Sequence, residues 1–158
     1  MEKEAIIDAV RDFLDADDWH YEYDAEHAFI RAGVTLKCKL KSARMFIRFR
    51  NTDYNVYMVA PISADPANLG EVLRFTAQAN YGLASGNFEV DVEDGEIRYK
   101  TFVNCDGLES LSRDVIEDSV YVCCVMMDRY GDGIAALALG FSDADTEIKK
   151  AEKQDDGE

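Results

Sequence analysis

Between Ala28 and Thr52 the chain carries no Asp or Glu but seven cations, Arg31, Lys37, Lys39, Lys41, Arg44, Arg48 and Arg50, out of 17 in the whole sequence. Cationic groups at alternate positions suit the recognition of carboxylates or phosphates, to which they make charge-assisted hydrogen bonds. If residues 44–50 form a strand, Arg44, Phe46, Arg48 and Arg50 share one face while Met45, Ile47 and Phe49 share the other. Lys37, Lys39 and Lys41 alternate in the same way. One reading is a cationic sheet face around Phe46 that takes an acidic peptide or an anionic small ligand. The other is a solvated face balanced by the protein's own acid, or lysines that discourage edge-to-edge sheet pairing.

The remaining chemistry-bearing residues support no reaction centre. Gly131-Asp132-Gly133-Ile134-Ala135-Ala136 matches the dinucleotide pattern G-x-G-x-x-A, but no second parallel strand follows it to complete a βαβ unit. A calcium loop starting at Asp128 fails, because Tyr130 stands at its third position and Leu139 where a bidentate Glu belongs. His20 and His27 read as surface imidazoles as well as they read as a pH-sensitive pair. Asp91, Glu93, Asp94 and Glu96 cluster around a turn, where solvation rather than a raised pKa is expected. Adjacent Cys123 and Cys124 cannot easily form an unstrained disulfide and read as small buried apolar groups. Cys38, Cys105, Cys123 and Cys124 form no CxxC pair, so no metal or cofactor is called for and an enzyme is not the expectation.

The elements that position these residues are read from periodicity. Ala5, Ile6, Ala9, Val10, Phe13 and Leu14 make a helical stripe from about Lys3 to Asp15. Alternation then marks strands from Trp19 to Tyr23 and over Ala28–Leu36, with a bend at Gly33, and over Arg44–Arg50 and Tyr54–Ile62, with Pro61 ending the last. Asp65 and Pro66 predict the start of a helix carrying Leu69, Val72, Leu73, Thr76, Asn80 and Leu83. The period changes at Gly86. Phe88, Val90 and Val92, then Ile97, Tyr99 and Thr101, predict a hairpin closed by a two-residue type I′ turn at Asp94-Gly95. Ser110 or Ser112 caps a long apolar segment from Val115 to Tyr130, which its length assigns to helix. Gly131-Asp132-Gly133 interrupts it, and Ile134–Leu139 resumes.

A helix apolar on most faces needs cover on two sides, which predicts a homodimer through this helix, at Val122, Val125, Met126 and Met127, or through the sheet face beside it. The final 17 residues hold seven acids against three lysines and read as a disordered tail, leaving one α+β domain over residues 1–141 and the tail over 142–158. The formal charge of −15 argues against nucleic acid as a partner. No apolar run approaches a membrane span and no signal peptide opens the chain, so the cytoplasm is the expected location.

Asn80, Gly86, Phe88, Asp94-Gly95 and Tyr99, followed by Leu111-Ser112, resemble the YbjN family, small bacterial proteins labelled sensory transduction regulators whose fold is similar to that of type III secretion chaperones. The resemblance covers roughly Ile6 to Leu139 and is strongest over Asn80–Thr101 and Leu111–Tyr130. It implies a twisted antiparallel sheet packed by helices, frequent homodimerisation, and a binding role with no catalytic residues to carry over. The vicinal cysteines and the acidic tail depart from the family pattern. The expectation is therefore a secretion chaperone-like sheet of about five to six strands with three helices, in the order α-β-β-β-β-α-β-β-α. Its expected role is to hold an extended segment of a partner protein. The alternative is a regulatory domain that binds an anionic small ligand at the basic face of residues 31–50.

Overall fold

The computed structural model describes residues 1–153. Among them one antiparallel sheet has the order β1-β2-β3-β4-β6-β5, built from Tyr21–Asp24, Phe29–Thr35, Ser42–Phe49, Asp53–Ser63, Asn87–Val90 and Glu96–Asn104, with β6 paired between β4 and β5. The helices are α1 (Lys3–Ala16), α2 (Leu69–Asn80), α3 (Arg113–Ala138) and α4 (Ala144–Glu152). The class and the element order match the sequence reading, with one helix more.

Period-two alternation decides which face of the sheet is buried. In β3, Ala43, Met45, Ile47 and Phe49 are buried, and in β4 Tyr54, Val56, Met58 and Ala60 join them. Ile97 and Tyr99 of β6 and Phe88 of β5 continue this inner face. α1 covers it with Ile6, Val10, Phe13 and Leu14, α2 with Val72, Phe75 and Ala79, and α3 with Ile116, Val120, Cys123, Met127, Tyr130 and Ile134. A polar cluster fixes α3 on the centre of the sheet. The Tyr54 hydroxyl lies 2.9 Å from Ser119 Oγ, Thr101 Oγ1 donates to the Ser119 carbonyl at 2.8 Å, and Ser119 Oγ donates to the Ile116 carbonyl at 2.7 Å. Every member is buried and satisfied, so the cluster specifies one seating of the helix.

Several local expectations are corrected. Asp94-Gly95 is not a two-residue type I′ turn. Asp91 N–H bonds Glu96 O at 2.9 Å and Gly95 N–H returns to Asp91 O at 2.8 Å, so residues 92–95 form a four-residue loop in which only Gly95 has positive φ. A Cβ on Gly95 would lie 2.1 Å from the Ala64 carbonyl oxygen, because the loop is tied to the end of β4 through Ala64 N–H to Gly95 O at 2.9 Å. Pro61 does not end β4. The strand runs to Ser63 through a register shift between Val59 and Ser63, where a residue without an N–H loses no ladder bond. Asp65 does not cap α2; it turns the chain by accepting Asn68 N–H at its carbonyl, 2.8 Å away, and the helix opens after Asn68. Gly33 pairs regularly with Arg44 and makes no bulge.

Two further corrections concern the C-terminal third. Gly131 and Gly133 neither kink nor end α3, which is continuous through both. They admit neighbours instead: a Cβ on Gly131 would lie 2.4 Å from Cys38 Sγ in the β2–β3 loop, and one on Gly133 would lie 2.6 Å from Phe75 Cζ and 3.2 Å from Glu147 Cβ. The stretch read as a disordered tail holds α4 over Ala144–Glu152, while residues 154–158 lie outside the described residues. Asp143 caps α4 by accepting Thr146 N–H at 2.9 Å, Glu71 accepts Ala144 N–H at 2.6 Å, and Ala144, Ile148 and Ala151 are buried. A nine-residue helix of this polarity does not stand alone, and its stability comes from these tertiary contacts.

Gly133→Ala places a methyl against the fully buried Phe75 ring, at an overpacking cost of about 1–3 kcal/mol that exceeds the helix-propensity gain of about 1 kcal/mol. Gly70→Ala in α2 meets nothing within 4 Å and gains about 0.5 kcal/mol. Urea unfolding is expected to show a lower midpoint for the first and a higher one for the second. A stabilised Gly133→Ala variant would overturn the close-approach account.

Candidate functional site: the uncovered sheet face

With α1, α2 and α3 packed against the inner face, the other face of the sheet carries no helix among the described residues. The pairing register sets out its side chains in three rows across the strands. One row runs Gly33, Arg44, Val59, Arg98 and Glu89; the next runs Glu22, Arg31, Phe46, Tyr57, Lys100 and Asn87; the third runs Asp24, Phe29, Arg48, Asn55 and Phe102. Cations and aromatics fill the middle of these rows, with acids on the edge strands β1 and β5, while Glu96 of β6 lies 3.8 Å from Arg98.

The edge acids neutralise the cations nearest to them. Glu22 Oε2 is 2.5 Å from Arg31 Nη2. Glu89 takes both Arg98 at 2.7 Å and Lys100 at 2.5 Å. Burial pushes the Glu89 carboxyl up, but the hydrogen bonds from Lys100 and Arg98 outweigh it and hold the group below the usual carboxylate range. Arg98 also lies over the Tyr57 ring, 4.5 Å from its centroid. Arg44 and Arg48 on β3 have no carboxylate partner among the described residues, and Arg44 leans over Phe46 at 5.9 Å. Both guanidinium groups are exposed, and Phe46 between them is half-buried.

Two shallow hollows flank Phe46. One, of about 470 Å³, is lined by His20, Glu22, Arg31, Gly33, Arg44 and Phe46, with Gly33 leaving open the space a side chain would fill. The other, of about 390 Å³, is lined by His27, Phe29, Phe46, Arg48 and Tyr57. His27 Nδ1 is 2.9 Å from Asp24 Oδ2, and the backbone and side-chain hydrogen bonds from His27 hold the Asp24 carboxyl low.

The structure divides the cations picked out in the sequence. Arg44, Phe46 and Arg48 share the open face. Arg50 stands past the end of β3, where it bonds Asn55 Oδ1 at 2.9 Å and sits 3.5 Å from Asp53 Oδ1. Lys37, Lys39 and Lys41 are not strand residues on that face; they belong to the loop between β2 and β3. That loop is docked on α3, with Asp128 Oδ1 accepting Lys37 N–H at 2.7 Å and Cys38 N–H at 3.0 Å, and Asp132 Oδ1 accepting Lys39 N–H at 2.7 Å. It borders a cleft of about 610 Å³ against α3 and α4, where Lys150 bonds the buried Glu147 at 2.8 Å. Asp128 and Asp132 thus act as loop anchors rather than calcium ligands, and no group of three potential metal ligands occurs among the described residues. Sequence reasoning missed Phe29, Tyr57, Arg98, Lys100 and Phe102. The alternation Arg98, Lys100, Phe102 was present opposite Ile97, Tyr99 and Thr101, but only the β4–β6 pairing brings it beside β3.

The proposed dimer residues also divide. Met126 and Met127 are buried in the chain's own core, Val122 is half-buried, and Val125 is 60% exposed. The sheet and the other helices therefore cover most of the surplus apolar surface that motivated the dimer.

An open antiparallel sheet with helices on one face and cations with aromatics on the other defines a two-layer α+β protein. The model of the YbjN family, described as "putative bacterial sensory transduction regulator", matches residues 7–136. The chain belongs to that family. No curated protein matches it. Among the described residues no helix is long and apolar enough to cross a membrane.

Of the vicinal thiols, Cys123 is buried in the core and Cys124 is half-buried at its margin. Cys123 Sγ bonds the Ser119 carbonyl at 3.4 Å, and burial pushes this thiol up to about 12 and that of Cys124 up to about 11. The folded state holds these protons while the unfolded chain releases them near 9.0, so this stability is complete below pH 9.0 and declines as pH rises above it. Urea titrations from pH 8 upward are expected to show that decline, and Cys123→Ala to flatten it. An unchanged slope would assign the decline to Tyr54 and Tyr99, whose hydroxyls burial pushes up to about 12.

Proposed function

We propose that this protein is a non-enzymatic regulatory module, cytoplasmic and without a cofactor, that holds an acidic, extended segment of a partner protein against the open face of its sheet. The observation that carries this reading is the pair Arg44 and Arg48, left without carboxylate partners among the described residues in a chain whose formal charge is −15. In a chain with 32 acids, the sheet's other arginines and Lys100 are paired with carboxylates, Arg31 with Glu22, Arg50 with Asp53, Arg98 with Glu89 and Glu96, and Lys100 with Glu89. A carboxylate-bearing partner supplies the missing charges, and Phe29, Phe46 and Tyr57 supply half-buried apolar surface beside them. The family's description as a regulator of sensory transduction agrees with a binding role.

Fluorescently labelled polyglutamate tests the reading by anisotropy. The wild-type protein is expected to bind it at low salt, more weakly at about 0.15 M where exposed charges are screened, and the Arg44→Glu, Arg48→Glu double variant is expected to lose at least tenfold in affinity. No binding by the wild type, or equal binding by the variant, would overturn it. A second reading, an anionic small ligand, rests on the hollow of about 390 Å³ with three aromatic walls and Arg48. It predicts that phenyl phosphate raises the melting temperature and that Arg48→Glu abolishes the rise. Absence of any rise removes that reading.

Homodimerisation is proposed through the stripe of α3 that the core leaves outside, Val115, Val122 and Val125. Light scattering over a concentration series is expected to give a dimer that Val125→Asp converts to monomer. A wild type that is monomeric throughout would exclude it.

A further inference from the structure

The sequence pattern of the held segment follows from the spacing of the open face, on the reading above that this face takes an acidic segment. Arg44, Phe46 and Arg48 project from alternate positions of β3, so successive side chains on that face stand about 6.6 Å apart and the two guanidinium groups' Cα positions about 13 Å apart. An extended ligand has the same repeat: side chains at i, i+2 and i+4 fall on one side at about the same intervals. A helix matches this step with i, i+4 and i+8, which rise about 6.0 Å each but turn about 40° each, so the third side chain points roughly 80° away from the first. An extended ligand keeps all three side chains on one side and fits the row Arg44, Phe46 and Arg48 better than a helical one.

We infer that the open face recognises an extended peptide segment with carboxylates at i and i+4 and an aromatic or large apolar residue at i+2, running along β3. The carboxylates take Arg44 and Arg48, which no other group neutralises among the described residues, and the central side chain packs at Phe46 between the two flanking hollows. The neighbouring cations already have carboxylate partners, Arg31 in Glu22, Lys100 in Glu89, and Arg98 in Glu89 and Glu96. Charge complementarity thus selects β3 from the three cation-bearing strands, and its alternation sets the register.

The test uses the full chain and two labelled peptides of identical composition, blocked at both ends. One is Glu-Ser-Phe-Ser-Glu between glycine pairs; the other is Ser-Glu-Glu-Ser-Phe between the same pairs. Titration calorimetry or anisotropy at low salt is expected to show the first peptide binding at least tenfold more tightly than the second. Arg44→Gln and Arg48→Gln are each expected to remove most of that preference, with circular dichroism unchanged because both side chains are exposed. Equal affinity for the two isomers would overturn the spacing rule. If polyglutamate still binds in that case, the acidic-segment reading of the face survives; if neither peptide nor polyglutamate binds, both fail together. Displacement of the first peptide by phenyl phosphate at lower concentration than the peptide itself would assign the face to a small anion and overturn the inference.

Discussion

Tyr54, Thr101 and Ser119 connect the central strands β4 and β6 to the N-terminal half of α3 through buried hydrogen bonds, and the rest of the architecture depends on that seating. α3 is 26 residues long, enough to lie across the sheet and continue past it to meet the β2–β3 loop, α2 and α4. Held there, it covers the inner side of β4 and β6 and leaves α1 and α2 to close the two ends. Gly131 and Gly133 then serve the same constraint from the helix side, since the loop at Cys38 and the ring of Phe75 approach closer than any side chain at those positions permits.

A consequence of placing all this cover on one face is that the other face must be tolerated in water. Alternation meets that requirement with charged and half-buried aromatic residues instead of a continuous apolar surface. The acids Glu22 and Glu89 on the edge strands pair with their cross-strand neighbours and also discourage association of exposed edges. Surface ion pairs of this kind contribute little stability each, so their arrangement matters more for the electrostatic pattern than for holding the fold. What remains at the centre of an acidic protein is a local field of opposite sign, set by two arginines and framed by aromatic rings.

The same economy accounts for the polar groups elsewhere. Asp128 and Asp132 are spent on backbone N–H groups of the β2–β3 loop, Asp143 on the first turn of α4, and Glu71 on the same helix start. Clusters of acid that resemble a calcium loop or an unstructured tail in one dimension are structural anchors in three. Cys123, similarly, fills space beneath Thr101 of β6, with its proton held by burial.

The sequence by itself determined the types and order of the elements from α1 to α3 and which side chains of the strands face the core, because period-two and period-3.6 alternation are local and survive without knowledge of partners. It also exposed the basic stretch and, within it, the shared face of Arg44, Phe46 and Arg48. Tertiary structure alone decided the rest. Whether Lys37 to Lys41 continue a strand or turn into a docked loop depends on Asp128 and Asp132, about 90 positions away in the chain. Whether two glycines break a helix or admit neighbours depends on Cys38, Phe75 and Glu147. Whether a polar C-terminal stretch folds depends on the groove between α2 and α3, and whether a cation is free depends on which strand lies beside it. These outcomes rest on non-local contacts, whose energies no window of neighbouring residues contains.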